Sequence, residues 1–532
     1  MSESPATRSG SRPELRVGID VGGTNTDAVI IDSSGAVITA VKVVTTPEPI
    51  DGIREALGRV LTDVDKSLIA KAMLGTTHPT NAIIQRRDLD QVGVLRLAAP
   101  SSLGVRPGAA WPGDIRDTVI AASAIIEGGN EYDGSEIAPL DTDAVRRFAA
   151  QAVSAGCSAI AVSAAFSPAV SDHENRAREI LAEELGAGFS VSLSHQVGSL
   201  GLLERENATI LNAALLSVAS SVVDGFGQAL AAHDLTADAY LTQNDGTLLT
   251  AAEARRFPVL TLGSGPTNSM RGACALAGVN DAVVIDVGGT SADAGILVDG
   301  FPRESTAAVE VGGVRTNVRM PDLISLGLGG GTVVRDARGG NGTTLAVGPD
   351  SVGYAVATES RCTGGDTLTL SDVSLAAGRL DNFGDKSLLG DLDSGLVSDA
   401  LAWVDEQVSI MSDRMKSSRA EIPLLAVGGG AHLIAQQVPG ISEVLRPENF
   451  SVANAYGACI AEASGTVDRV YSYDRTSREE CLDDARELAV NAAVRSGAHP
   501  DGVRITTVTE VPMTYVPGGG CRVMVKAVGP LV

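Results

Sequence analysis

Aromatic residues are scarce. Phe, Tyr and Trp make up 3% of the 532 residues, although 44% are hydrophobic. The core must therefore be close-packed Ala, Val, Leu and Ile, with 60 glycines supplying the turns between elements. Basic residues are also in deficit: 41 Lys and Arg against 65 Asp and Glu leave a formal net charge of −24. That average field repels a polyanion and argues against DNA or RNA as a partner. It does not stop one local cleft from holding a nucleotide phosphate. The six cysteines (Cys157, Cys274, Cys362, Cys459, Cys481 and Cys521) form no CxxC pair. A chain of this size needs no disulfide staples, so reduced thiols in a cytoplasm are expected. No uninterrupted apolar run reaches the ~18 residues of a membrane span, which excludes a membrane role on this reading. Residues 1–13 are polar and read as a disordered tail, not a signal peptide. The Gly-x4-Gly-Lys-Ser/Thr pattern is missing too, so this is not a P-loop protein.

What the chain does have is an internal echo. Val17-Gly-Ile-Asp-Val-Gly-Gly-Thr-Asn-Thr-Asp-Ala-Val-Ile30 returns as Val283-Val-Ile-Asp-Val-Gly-Gly-Thr-Ser-Ala-Asp-Ala-Gly-Ile296, identical at ten of fourteen positions. Two copies so far apart indicate two homologous halves, not a solenoid. Each copy reads as a strand, a tight Gly-Gly-Thr turn and a second strand, opening a β-meander. Between them, helical spacing over residues 141–155, 173–185 and 202–230 alternates with buried strands at 158–163 and 189–193, the signature of an α/β fold. After residue 476 come a helix over 478–495 and strands over 503–508 and 521–528. The expected division is a tail (1–13), a first region (14–200), a core containing the second half (201–475) and a small C-terminal α+β module (476–532).

The two Asp-x-Gly-Gly-Thr turns are the first candidate site. Glycine removes the Cβ that would block close approach, and the freed N–H groups of Gly22, Gly23, Gly288 and Gly289 can face phosphate oxygens. Thr24, Asn25, Thr26, Thr290 and Ser291 add side-chain donors. Asp20 and Asp286 each precede their turn by one residue, placed to hold Mg2+ through waters while the backbone holds the phosphates. A plain hairpin turn would explain one copy; two copies sharing the flanking Asp and Thr favour phosphate binding. A third site is Leu424-Leu-Ala-Val-Gly-Gly-Gly-Ala431, a buried strand running into Gly428, Gly429 and Gly430. A base or ribose could rest on that bare backbone.

In this order the three elements resemble the phosphate-1, phosphate-2 and adenosine motifs of the actin, heat-shock chaperone and sugar-kinase superfamily. More specifically, the chain resembles the hydantoinase A/oxoprolinase family. The matching segments are Val17–Asp32, Leu74-Gly-Thr-Thr-His-Pro-Thr-Asn-Ala82, Ser194-His-Gln-Val197, Leu203–Asn212, Gly263-Ser-Gly-Pro266 and Gly327-Leu-Gly-Gly-Gly331. The resemblance implies duplicated actin-like (ribonuclease H-like) α/β domains flanking an ATP cleft, with an inserted α/β region. It also implies an ATP- and Mg2+-using enzyme that phosphorylates the amide oxygen of a cyclic amide, with a second hydantoinase-type subunit completing ring opening, and an oligomer. An amide carbonyl is a poor electrophile, and O-phosphorylation turns its oxygen into a leaving group. Thr76, Thr77 and Asn81 match a family segment and are carried over as catalytic candidates beside Asp20 and Asp286; capping of a helix by Thr77 or Thr80 is the plainer reading. His78, His195 and Ser264 fall in matching segments and are read as structural. Gln243-Asn-Asp-Gly246 matches a family turn. The chain departs from the family at Asp322-Leu-Ile-Ser325, where Ile324 stands in the place of a His. A small-molecule kinase or a nucleotide-controlled binding protein would share the fold.

Overall fold

The computed structural model describes residues 14–23, 25–45, 49–186, 188–305, 308–336, 345–514 and 519–532. It opens with the expected antiparallel meander of β1 (Leu15–Val21), β2 (Asn25–Ile31) and β3 (Val37–Val44). β4 (Ile69–Thr76) lies parallel to β1. Both β1 and β2 are buried almost throughout, because elements cover the sheet on both faces and the strands read as continuous apolar runs.

The chain then leaves this sheet for a smaller parallel one. Its strands are β5 (Val92–Ala99), β6 (Ile120–Glu127), β7 (Ala159–Ala164) and β8 (Ser190–Leu193), in the order β6-β5-β7-β8. Helices Thr142–Ser154 and Asp172–Leu185 flank it, the first capped by Asp141 accepting from the Ala144 N–H at 2.8 Å. The apolar stretch predicted as one helical region over 202–230 is two helices, Leu202–Ala214 and Leu216–Ala232, bent by 48°. Asp90 makes the break: its carboxylate takes the Ser217 N–H at 2.9 Å and hydroxyl at 2.8 Å, satisfying a helix start where the chain turns. Among the described residues, no single helix is long and apolar enough to cross a membrane.

β9 (Asp238–Thr242) returns parallel to β4, followed by β10 (Leu248–Thr250). The second half repeats the plan. β11 (Ala282–Val287), β12 (Ala292–Val298) and β13 (Phe301–Pro302) form its meander. After a hairpin of β14 (Val309–Val311) and β15 (Val314–Thr316), β16 (Leu323–Leu326) pairs with β12. A second hairpin, β17 (Thr332–Asp336) and β18 (Leu345–Ser351), precedes β19 (Ile422–Val427) and β20 (Ile441–Leu445). The two sheets share one order: β3-β2-β1-β4-β9 in the first and β13-β12-β11-β19-β20 in the second. This is the duplicated actin-like α/β architecture.

Two expected boundaries move. A division near residue 200 cuts the first sheet, since β9 and β10 return to it from beyond that point. The C-terminal strands do not stand apart either. β21 (Ala463–Ser472), β22 (Arg504–Pro512) and β23 (Gly520–Gly529) continue the first sheet through β10, giving β22-β23-β21-β10-β9-β4-β1-β2-β3. Helix Arg478–Arg495 covers them, its buried Ala485, Ala489 and Ala493 letting it sit close. All six cysteines are buried and unbridged.

Two helices join the halves. Ser264–Ala277 follows the first sheet and Ala453–Ile460 follows the second, and they cross backbone to backbone. A Cβ on Gly272 would lie 2.0 Å from the Ala453 carbonyl oxygen, and one on Gly457 would lie 1.9 Å from that of Asn268. Only glycine fits at this crossing.

Candidate functional site

The strands β1 and β11 each end in a carboxylate and a tight turn. In the first turn the Gly22 N–H donates to the Asn25 carbonyl at 3.0 Å; in the second Gly288 donates to Ser291 at 2.8 Å. The same turn is thus built twice. Across each hairpin a second aspartate stands opposite the first, Asp27 facing Asp20 and Asp293 facing Asp286. Lys42 of β3 pairs with Asp27 at 3.0 Å, and the Ser325 hydroxyl donates to Asp293. These inner partners leave Asp20 and Asp286 as the groups at the turns.

Each of those carboxylates is held by a helix that belongs in sequence to the other half but packs on the carboxylate's own sheet. Ser269, on the helix that follows the first sheet, donates its hydroxyl to Asp286 Oδ2 at 2.6 Å. Asn454, on the helix that follows the second sheet, donates Nδ2–H to Asp20 Oδ2 at 3.3 Å. The two donors are equivalent, for each lies three residues before the crossing glycine of its helix.

Both carboxylates are reluctant to ionise. Asp20 is buried and Asp286 half-buried. Loss of hydration pushes Asp20 up to about 6, reinforced by the negative charges of Asp27 and Asp286 and opposed by the Asn454 hydrogen bond and Lys42. Loss of hydration likewise pushes Asp286 up to about 6, with the Ser269 hydrogen bond lowering it and Asp293 raising it. An unfolded Asp titrates near ~3.9. Between that value and about 6 the folded state binds more protons, so these groups make stability fall as pH rises through the window. Asp20→Asn is expected to flatten that fall and to leave the protein more stable than wild type at neutral pH, by roughly 2–3 kcal/mol. Urea midpoints at several pH values between 4 and 7 check this; an unchanged profile would mean Asp20 ionises freely.

The other candidates gather here unevenly. Thr76 and Thr77 sit where β4 ends beside β1: Thr77 directs both its N–H (3.4 Å) and its hydroxyl (3.3 Å) to the Val21 carbonyl, and Asn81 Nδ2–H donates to the Thr77 hydroxyl at 3.4 Å. Thr76 is buried and its hydroxyl accepts from the His78 N–H at 3.1 Å, opening helix His78–Gln85. Thr80 accepts from the Gly263 N–H at 3.3 Å. Gly428 lies directly on the second carboxylate: with φ +82° it takes a conformation favouring glycine, and a Cβ there would be 2.2 Å from Asp286 Oδ1. The Gly430 N–H donates to Val287 at 2.7 Å, while Gly429 faces open space. Thr290 is exposed and Ser291 half-buried at the second turn. Thr26 is not at the mouth of its turn. It is buried in β2 with its hydroxyl against that of Thr45 at 3.2 Å, and Thr45 donates to the Gly22 carbonyl at 2.9 Å, so Thr26 braces the turn from behind. Thr24 lies outside the described residues.

Residues 16–185 match the family model described as the hydantoinase/oxoprolinase N-terminal region, and residues 205–384 match hydantoinase/oxoprolinase. The chain belongs to the hydantoinase/oxoprolinase family. It is 27% identical to the caprolactamase subunit alpha of Pseudomonas jessenii over 84% of this chain and 66% of that one. It is 28% identical to the acetophenone carboxylase gamma subunit of Aromatoleum aromaticum, over 68% of this chain and 53% of that one. An uncharacterized protein of Methanocaldococcus jannaschii is 28% identical over 76% of this chain and 62% of its own length. The chain thus spans between about half and two thirds of these relatives. The crystal structure of the ATP-dependent caprolactamase from Pseudomonas jessenii has the same fold (TM-score 0.76, 20% identity, 97% of this chain and 88% of that one). So does nucleotide-free acetone carboxylase (TM-score 0.65, 17% identity, 98% and 88%).

Within this family member, the Gly327–Gly331 segment backs the second turn. The Gly330 and Gly331 N–H groups donate to the Gly288 and Gly289 carbonyls at 3.0 and 2.7 Å. Ile324 packs into the core of the second half, and its neighbour Ser325 reaches Asp293. Sequence reasoning missed Lys42, Ser269 and Asn454. A signal for the last two exists: Gly272-Ala-Cys274 and Gly457-Ala-Cys459 repeat, and Ser269 and Asn454 precede them at one spacing.

Proposed function

We propose that this hydantoinase/oxoprolinase chain binds ATP between its two halves and transfers the γ-phosphoryl group to the amide oxygen of a cyclic amide of hydantoin, 5-oxoproline or lactam type. The observation that carries the reading is the pair of equivalent turns, each with its carboxylate held by the equivalent side chain of one of the two crossing helices. Gly22 and Gly288 use their N–H groups to close the turns. Those of Gly23, Gly289 and Thr290 have no hydrogen-bond partner among the described residues and would receive phosphate oxygens. Gly428–Gly430 would lie along the nucleoside.

The donor set also fits Mg2+. Two hard carboxylates stand in one field with raised proton affinity, and the nearest ammonium, Lys42, is engaged by Asp27. No group of three or more His, Cys, Asp or Glu that could hold a metal occurs among the described residues. That suits an ion held by one or two carboxylates, waters and phosphate rather than a protein cage. When bound, Mg2+ would neutralise charge on the transferring phosphoryl group. The chain's own contribution is positioning: the turns hold the phosphates, and Thr77 and Asn81 fix the first turn against β4. Water attack and C–N opening fall to a partner subunit, in keeping with relatives named as alpha and gamma subunits.

A second acceptor is favoured by the acetophenone and acetone carboxylase relatives, which suggest a ketone oxygen in place of the amide oxygen. Phosphate release from Mg-ATP across hydantoins, lactams, 5-oxoproline and simple ketones decides between them. Stimulation by a cyclic amide supports the first reading, and by a ketone the second. A folded protein that binds ATP yet releases no phosphate with any of them, partner present, would sink both and leave a nucleotide-controlled binding role.

A further inference from the structure

Two histidines meet glutamates, and the fold uses them differently. His173 engages both ring nitrogens: Nδ1 accepts from the Gly129 N–H at 2.9 Å and Nε2 meets Glu136 at 3.1 Å. That is a structural histidine. His195 engages one. Its Nδ1 lies 2.6 Å from Glu174 Oε2, which also accepts the His195 N–H at 3.0 Å. The other Glu174 oxygen accepts from the Ala164 N–H at 2.8 Å and the Ser194 hydroxyl at 2.5 Å, and Arg205 Nε holds Ser194 at 2.9 Å. Burial opposes the charge of Glu174, yet the His195 hydrogen bond and the nearby Arg205 charge keep its carboxyl below the usual range. An ionised carboxylate only accepts, so Nδ1 carries the proton and the free lone pair is on Nε2. Nε2 has no hydrogen-bond partner among the described residues. The His195 side chain is 14% exposed above a fully buried Glu174, and it lines a cavity of about 580 Å3. A buried carboxylate that fixes one imidazole nitrogen and leaves the other as a base is an acid–base dyad.

The cavity opens at the carboxyl end of the first sheet. Leu74 of β4 pairs with Leu241 of β9, so Thr242 and Gln243 come level with Gly75 and Thr76, which stand beside Asp20 and Val21. Gln243 and Asn244 line the cavity, two strands and roughly 10 Å from the Asp20 strand. Asn244 is 3% exposed, and its Nδ2 is buried without a hydrogen-bond partner. Buried polar atoms are nearly always paired, so this open donor points to an acceptor from outside the chain. One cavity thus presents a base and an unsatisfied donor. A carbonyl compound with a hydrogen on the atom next to the carbonyl carbon matches the pair.

We propose that His195 is the general base of the phosphoryl transfer, with Glu174 as its positioning residue and Asn244 as the donor that holds the carbonyl oxygen. This rests on the phosphoryl-transfer reading above and adds the group that takes the proton. A carbonyl oxygen that attacks phosphorus leaves its own molecule one proton too many. The O–P bond forms as the bond from the γ-phosphorus to ADP breaks. The hydrogen on the neighbouring atom, an amide nitrogen or the α-carbon of a ketone, passes to Nε2. Its bonding pair becomes the C=N bond of an imidate phosphate or the C=C bond of an enol phosphate. The imidazolium that results faces the Glu174 charge. One base therefore serves both acceptors considered above, and His195, which reads as structural in the sequence, becomes a catalytic residue.

The test is phosphate release from Mg-ATP by the full chain with its partner subunit, offered hydantoin, caprolactam, 5-oxoproline and acetone. His195→Asn keeps a side-chain amide where Nδ1 meets Glu174 and removes Nε2. It is expected to lower kcat of stimulated release about 100- to 1,000-fold while KM and the calorimetric affinity for Mg-ATP hold. Glu174→Gln leaves Nε2 in place but releases the ring, and is expected to lower kcat at least about 10-fold. Added imidazole is expected to restore part of the loss in His195→Ala, a recovery that a structural role would not give. Stimulated release by His195→Asn within about tenfold of wild type keeps the phosphoryl-transfer reading and rejects the dyad. A loss that imidazole leaves untouched, with Mg-ATP affinity falling alongside, makes His195 structural and overturns the proposal. No stimulated release from wild type with any of the four compounds rejects the phosphoryl-transfer reading, and the base falls with it.

Discussion

Asp286→Ala is expected to lower substrate-stimulated phosphate release by about 100- to 1,000-fold, the usual loss when one preorganised group that stabilises transition-state charge is removed. The fold should survive. Asp286 holds its charge against loss of hydration, so deleting the carboxylate removes an unfavourable ionisation as well as the Ser269 hydrogen bond. The urea midpoint at neutral pH should therefore be unchanged or slightly raised, a trade of stability for function common at active sites. Asp286→Asn separates charge from shape: it can still accept from Ser269, yet it carries no negative charge for a cation. Equal losses in both variants place the effect on charge. Retention of more than about a tenth of wild-type release by Asp286→Ala would remove Asp286 from the phosphoryl-transfer machinery.

Gly457→Val is expected to destabilise the protein by more than about 4 kcal/mol, at the upper end of what single substitutions do. The argument is steric. A Cβ at Gly457 would sit 1.9 Å from the Asn268 carbonyl oxygen and close to the Gly272 N–H. These are backbone atoms of a packed helix, so no side chain can rotate away. The helices would have to separate, and the two halves that they join would part with them. Gly265→Ala, in helix Ser264–Ala277, is the control: its Cβ would meet nothing within 4 Å, and stability should hold or rise by up to about 1 kcal/mol. Denaturant midpoints of the three proteins decide the matter. Equal midpoints for Gly457→Val and wild type would show that the crossing can open at no cost.

The parts legible in the sequence were those written locally. The hairpins at Asp20 and Asp286 declare themselves within fourteen residues, because strand, turn and strand each have their own pattern and the copy confirms the reading. Gly428–Gly430 is legible for the same reason. Long-range pairing leaves no such mark. Nothing in Leu248–Thr250 says that it borders Ala463, so the C-terminal strands read as a separate module. Lys42, Ser269 and Asn454 are single polar residues whose meaning depends on which half they face. Thr26 was misplaced by one step of strand alternation: in β2 its side chain points inward, toward Thr45. The bend at Leu215 is set by Asp90, more than a hundred residues earlier.

The threading of the first sheet has a consequence for how the chain is made. β10 emerges from the ribosome with one edge unpaired, and that edge waits for β21, about 210 residues later. At translation rates of about 5–20 residues per second the wait is roughly 10–40 s. Over the same interval one face of β1 and β2 lacks its cover, because helix Ala453–Ile460 has not been synthesised. The nascent chain therefore carries an apolar sheet face through most of its synthesis and an open strand edge through the later part of it, the state in which a chaperone would find it.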